Sequence, residues 1–283
     1  MHLNKNKNAL ITGVSTGIGK GIAMKLLSEG FTVFGSVRKE EDALTLTHMS
    51  PEHFVPLVFD VTNEKSVNES VEVVKKRLAG KGLDVFINNA GIAFGGPLLF
   101  MDSALIRRHF DVNVFGVINC IRAYAPLLGA VKDYSNAPGR IINVSSVSGK
   151  IGSPFVAPYV GSKHALEGIS QSLRRELLPF GIDVIILRPG VVKTPIWEKA
   201  RGKSDFRNTP YESILKEYGK QVGSNLPNGL EVEKVADLAY RIIEKKKPKT
   251  GYTISPNPVK TWLALHILSD RMLDKIFAKR FKM

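Results

Sequence analysis

Tyr159 and Lys163 stand four residues apart in a segment with helical periodicity, so a phenol and an ammonium share one helix face about a turn apart. A tyrosine, with its ordinary pKa of about 10, is a poor base at neutral pH. A neighbouring ammonium favours the phenolate. The pair therefore predicts a tyrosine drawn down toward the pH range where general acid–base transfer is most effective. Two adjacent serines, Ser145 and Ser146, follow an apolar run and offer a further hydroxyl. A second chemical feature is the turn Thr12–Gly19, with Gly13, Gly17 and Gly19 in a GxxxGxG spacing. It is neither a Walker A loop, since Gly21 rather than Ser or Thr follows Lys20, nor the literal GxGxxG fingerprint. Glycines between a strand and a helix let the backbone approach a ligand closely, so that a pyrophosphate can rest on the helix N-terminus.

Other chemistries find little support. The single Cys120 excludes an intrachain disulfide and a multi-cysteine zinc site, and the six His form no HExxH pair. No metal is expected. No apolar run reaches the ~18 residues of a membrane span. The basic N-terminus meets the glycine turn before a signal-peptide core could form, so the expectation is a cytoplasmic chain. The net charge of +14 is concentrated at one end: 11 Lys/Arg against three Asp/Glu lie between Arg241 and Met283. A basic tail, unlike a basic domain, gives no reason to expect nucleic acid.

The elements that must hold these groups alternate. Apolar runs at Ala9–Thr12, Phe31–Val37, Phe54–Phe59, Asp84–Asn88, Arg140–Ser145 and Asp183–Leu187 read as strands. Helical patterns separate them, over Ile18–Leu27, 40–48, 64–79, a long helix over 102–128, and 159–178. Such alternation predicts one α/β domain, a Rossmann-like doubly wound parallel sheet of about seven strands with helices on both faces. Residues 8–190 form its core. Residues 191–230 break the rhythm and lie where ligands bind in such sheets, which suggests a substrate lid. A long surface loop would have the same composition.

Four landmarks occur in a fixed order: Thr12–Gly19, Asn88-Asn89-Ala90-Gly91, the serine after Ile141–Val144, and Tyr159 with Lys163, followed by Pro189-Gly190. In this the chain resembles the short-chain dehydrogenase/reductase family, over nearly its whole length and most of all in the branch acting on steroids and retinol. The resemblance implies a nicotinamide-dependent alcohol–carbonyl oxidoreductase, with Tyr159 exchanging the proton and Lys163 also holding the nicotinamide ribose. The family's serine stands about thirteen residues before the tyrosine, which selects Ser146 over Ser145. Asn113 matches the family's fourth member, which holds a proton-relaying water. Gly13, Ser15, Thr16, Gly17, Ile18 and Gly19 would cradle the cofactor phosphates, Asp60 and Val61 the adenine, and Thr194 the carboxamide. Asn89, Ala90, Gly91, Pro189, Gly190 and Val192 would line the cofactor.

After the second strand, relatives that prefer NAD carry an acidic residue for the ribose 2′-hydroxyl. Here that place falls on Val37, and Arg38 follows. An arginine can meet a 2′-phosphate with two bonds where a carboxylate would repel it. NADP(H) is favoured over NAD(H), although Ser15 and Thr16 stand where some NADP-preferring relatives place another basic residue. The resemblance further implies a homo-oligomer, a dimer or tetramer.

Phe94, Leu98, Phe155, Trp197, Phe206 and Tyr211 fall in loops expected near Tyr159, with Phe94, Phe155 and Trp197 the chosen substrate contacts. Their apolar character suggests a lipophilic alcohol or carbonyl compound such as a steroid, retinoid or lipid. Residues 258–283 form a basic amphipathic extension. Met272, Leu273, Ile276, Phe277 and Phe281 share one half of a helix with Ser269 as N-cap, opposite Arg271, Lys275, Lys279 and Lys282. That helix could lie on an anionic membrane, cover the pocket or pack on another subunit. Alternatives to the leading reading are a catalytically silent NAD(P)-sensing protein, an NAD-preferring dehydrogenase of a small alcohol, and a sugar-nucleotide epimerase. The intact Tyr/Lys pair argues against the sensor and the glycine spacing against the epimerase.

Overall fold

The computed structural model describes residues 7–196, 206–225 and 227–283. Its sheet contains β1 (Asn8–Ile11), β2 (Thr32–Val37), β3 (Phe54–Val58), β4 (Val85–Asn88), β5 (Arg140–Val144), β6 (Asp183–Pro189) and β7 (Gly251–Ile254). All pair in parallel, in the order β3-β2-β1-β4-β5-β6-β7. Strands buried on both faces need apolar residues at consecutive positions, which is why they read as runs rather than alternations. The side chains still divide by the pleat. Ala9, Ile11, Val85 and Ile87 enter one core, with Ile22 and Leu26 of α1 (Gly17–Ser28) and Val235 and Ala239 of α8 (Val232–Glu244). Leu10 and Phe86 enter the other. There they meet Val67 and Val74 of α3 (Glu64–Leu78) and Tyr124 of α5 (Gly116–Leu128).

The doubly wound expectation holds, and the structure adds detail at its joints. The span 40–48 is a 3₁₀ turn, Glu40–Ala43, followed by α2 (Leu44–Met49). The helix expected over 159–178 is α6 (Ala157–Glu176), with Pro158 in its first turn, where no amide partner is lost. The helix expected over 102–128 is not continuous. It consists of α4 (Ser103–Phe110), a π-helical turn over Asp111–Phe115, and α5. A one-residue widening leaves the apolar period almost unchanged, so the pattern cannot reveal it. Within 191–230 lies α7 (Glu212–Asn225). Beyond β7 come α9 (Pro258–His266) and α10 (Asp270–Phe281).

Because the strand order reverses between β1 and β4, their crossovers leave on opposite faces and a crevice opens at their carboxyl ends. Thr12 closes its floor. Its hydroxyl accepts from the backbone N–H groups of Asn89 and Ala90, both at 3.0 Å. The Asn89 amide in turn donates to the carbonyls of Thr12 and Gly13, also at 3.0 Å. Thr12 is 1% exposed, so water does not replace these bonds. Thr12→Val should therefore lower the unfolding free energy by about 1–3 kcal/mol, the penalty for stranding buried donors. Urea denaturation should show this loss and a near-normal midpoint for Thr12→Ser.

Candidate active site

The crevice gathers what the sequence scatters. Gly13, Ser15, Thr16, Gly17 and Ile18 line one cleft with Arg38 from the end of β2 and with Asp60 and Val61 beyond β3. Asn89, Ala90 and Gly91, Ser146, Tyr159 and Lys163, and Pro189, Gly190, Val192 and Thr194 complete its walls. Gly19 and Asn113 lie behind the surface, and each supports it. A Cβ on Gly19 would run into the Asn89 amide and the Gly13 carbonyl. Gly13 and Gly17 have φ of +73° and +61°, a conformation that side chains disfavour. A Cβ on Gly17 would also stand 3.2 Å from Thr194. The turn is thus a bare backbone cradle at the start of α1, of the kind a pyrophosphate fits.

Tyr159, Lys163 and Glu167 follow one another at four-residue steps along one face of α6. Lys163 is buried, and its ammonium donates to the Val144 carbonyl at 2.8 Å. It lies 5.8 Å from the Tyr159 ring centroid. Burial pushes the Lys163 pKa down to about 8, against the pull of the Glu167 carboxylate. Tyr159 departs from expectation. Burial raises its pKa, and a hydrogen bond with Ser146 offsets only part of that rise. Desolvation of the phenolate dominates, and the phenol stays protonated at neutral pH.

Sequence reasoning missed the group behind Lys163. Glu167 is 3% exposed and takes two hydrogen bonds from Arg188, at 2.8 and 2.7 Å, with Lys150 at 3.4 Å. Glu167 falls one turn after Lys163, which is a usable signal, whereas the pairing with Arg188 across β6 has no local signature. Asn113 is fully buried inside the π-turn. Its side-chain oxygen accepts from the Ile92 N–H, and its amide donates to the Ile92 carbonyl, each at 2.9 Å, and to the Ser162 hydroxyl at 3.0 Å. The side chain thus anchors the segment after Gly91. Ser146 accepts from the Ser148 N–H at 3.0 Å while facing Tyr159. The neighbouring Ser145 hydroxyl is buried in the cleft wall without a hydrogen-bond partner among the described residues.

At the far end of the cleft, Asp60 is the only carboxylate among the described lining residues. Burial pushes its pKa up, but the Thr62 N–H and hydroxyl, at 2.9 and 2.7 Å, together with Arg108 and Arg38, hold it below the usual value. Arg108 lies 3.7 Å from Asp60 and was not singled out by any spacing in the sequence. Two arginines with no carboxylate at Val37 suit a phosphate on the adenosine ribose.

The other end is apolar. Ala93, Val156, Val160 and Ile196 pack with Tyr159. Phe94 is buried, its N–H donating to His109 Nε2 at 2.9 Å. Phe155 is buried with φ of +62°, a strained conformation for a non-glycine residue. Its ring meets Tyr211 and Tyr218 edge-on, at 5.9 and 5.3 Å. Phe206 fills the space beside Gly96, and Leu98 is half-exposed. Trp197 lies outside the described residues. The C-terminal helix divides its apolar residues differently from the expectation: Phe281 is buried against Tyr218 at 5.1 Å, while Met272 and Ile276 face solvent. Ser269 caps α10 without a side-chain hydrogen bond. Among the described residues, no His/Cys/Asp/Glu group could hold a metal, and no helix is long and apolar enough to cross a membrane.

Residues 7–205 match the family model described as short chain dehydrogenase. The chain is 42% identical over 275 residues to the NADPH-dependent 3-dehydrocapnine reductase of Ornithobacterium rhinotracheale, covering 97% of each protein. It is 32% identical over 250 residues to the 3-ketodihydrosphingosine reductase of Bacteroides thetaiotaomicron, covering 87% of each. The structure of ElxO with NADP bound superposes with a TM-score of 0.70 at 26% identity, covering 90% of this chain and 99% of that one. Matches that span nearly the whole chain, joined to the cleft just described, place it: this protein belongs to the short-chain dehydrogenase family.

Proposed function

We propose that this NADP(H)-dependent oxidoreductase reduces the carbonyl group of a lipophilic substrate, with Tyr159 as the proton donor. The observation that carries the reading is the place of Tyr159: a buried phenol beside Ser146 and within one helical turn of Lys163. Carbonyl reduction needs a proton at the oxygen as the carbon gains a hydride, and a protonated phenol is the form that can give it. NADPH, when bound in the cleft, supplies the hydride. Ser146 and Tyr159 then share the task of holding the substrate oxygen, and a hydrogen bond from the serine hydroxyl steadies the charge that develops there. As Tyr159 gives up its proton, the Lys163 ammonium nearby stabilises the phenolate. Glu167, itself held by Arg188 and Lys150, keeps that ammonium charged.

Several features support NADPH as the cofactor. The glycine cradle fits a pyrophosphate, Arg38 and Arg108 stand at the adenosine end, and the acidic place after β2 is Val37. Relatives named for NADPH or found with NADP point the same way. The lipophilic substrate rests on the apolar wall beside Tyr159 and on the aromatic residues Phe94, Phe155 and Tyr211 beyond it. The segment 191–230, which contains α7, would close over this wall as a lid.

Tyr159→Phe should leave NADPH binding within about twofold of wild type while turnover falls by about 10²–10⁴. Fluorescence titration and ketone-dependent NADPH oxidation measure the two quantities. Arg38→Asp should weaken NADPH far more than NADH, and equal loss of both would assign the 2′-phosphate elsewhere. Reduction should decline as pH rises through about 8, where Lys163 loses its proton. Glu167→Gln removes the carboxylate that raises this pKa, so the alkaline limb of the pH–rate profile should move to lower pH. An unmoved limb would show that Glu167 only braces the fold.

A further inference from the structure

Helix α9 is built the wrong way round for a helix that packs on its own protein. Val259, Trp262, Leu263 and Ile267 recur at steps of three, one and four, which places them on one face. That face points outward: their exposures are 70%, 55%, 38% and 60%, and α9 has no buried residue. The next helix also exposes apolar side chains. Met272 and Ile276, one turn apart on α10, are 49% and 48% exposed, while Phe281 turns inward against Tyr218. Six large apolar side chains exposed on two consecutive helices are more than the scattered single residues of an ordinary surface.

Its surroundings indicate what it meets. Lys260, Arg271, Lys275, Lys279 and Arg280 are exposed on the same two helices, against only Asp270 and Asp274. A second copy of this chain docking on the face would bring a like-charged rim against this one. An anionic surface is complementary to it. An apolar strip bearing a tryptophan and bordered by lysines is the arrangement that lies in a lipid interface, with the ring at headgroup depth and the apolar side chains just below. We propose that α9 and α10 seat the protein on an anionic lipid surface through Val259, Trp262, Leu263, Ile267, Met272 and Ile276.

The seat also adjoins the apolar end of the cleft. Ring contacts run without a break from Phe277 to Phe281, Tyr218, Phe155, Tyr211 and Phe100. They join α10 to α7 and to the wall beyond Tyr159. A lipophilic molecule leaving the surface would then meet apolar side chains along its way to the cleft. This last step rests on the substrate reading above, whereas lipid docking does not.

The test uses the full chain and needs no turnover. Wild type should co-sediment with phosphatidylcholine vesicles containing phosphatidylglycerol and much less with phosphatidylcholine alone. The exposed double variant Trp262→Glu/Ile267→Glu should lose at least about tenfold in anionic-vesicle binding, and Lys275→Glu/Lys279→Glu should weaken it in a salt-dependent way. NADPH affinity and thermal midpoint should match wild type in both, confirming that the fold is intact. Absence of wild-type binding to anionic vesicles, or equal binding by Trp262→Glu/Ile267→Glu, would overturn the proposal. So would a dimer in light scattering that this variant dissociates, without vesicle binding, since the face would then belong to a second copy.

Discussion

The rest of the structure depends on the reversal of strand order between β1 and β4. A parallel sheet must be covered on both faces, so successive crossovers have to go to one side or the other. Where the direction changes, the two neighbouring strand ends face no helix, and the resulting crevice is the one place where backbone from several strands converges on open space. Thr12 and Asn89 knit the two ends together there, and the glycine cradle is suspended from that knot. Most side chains discussed for the chemistry reach the crevice because they follow a strand that ends at it or sit on α6 beside it; Arg108 comes from α4 and Asn113 from the π-turn behind it.

Placing a lysine in such a site creates an electrostatic problem that the fold addresses in layers. Lys163 is buried, and an isolated ammonium in that position would lose its proton. The Val144 carbonyl takes one of its hydrogens, and Glu167 one turn along α6 adds a compensating charge. Glu167 is itself 3% exposed and would be untenable alone, so Arg188 and Lys150 balance it. The chain of opposite charges runs outward from Lys163 toward solvent at Lys150. For Tyr159, burial outweighs the hydrogen bond with Ser146, so its pKa rises and the phenol keeps its proton at neutral pH. One helix face therefore carries an ammonium and a neutral phenol side by side, a pairing suited to giving a proton to a carbonyl oxygen.

The apolar end of the cleft is shaped by a different economy. Phe155 is held in a left-handed conformation, and the Gly96 N–H secures it by donating to its carbonyl at 2.7 Å. Strain of this kind survives where surrounding contacts fix it. Here Tyr211 and Tyr218 enclose the ring, and Phe281 closes the stack from the C-terminal helix. The basic tail that stood apart in the sequence is thus joined to the cleft by its inward face, which leaves Met272 and Ile276 for the outside.

The sequence by itself determined six of the strands, because burial on both faces forces apolar runs. It determined the glycine cradle and the Tyr159/Lys163 pair too, because their spacing is local and each landmark follows its strand at short range. Helix phase, the seventh strand and the interruption at Asp111–Phe115 were less legible, since a π-turn changes the register by one residue and a four-residue strand such as Gly251–Ile254 carries little pattern. Only the tertiary structure decided the protonation state of Tyr159, the Glu167–Arg188 pair, the approach of Arg108 to Asp60 and the inward and outward faces of α10. These depend on desolvation and on contacts between residues far apart in the chain. A pKa is set by what surrounds a group in three dimensions, and neither burial nor a partner 21 residues away is written in the spacing of its neighbours.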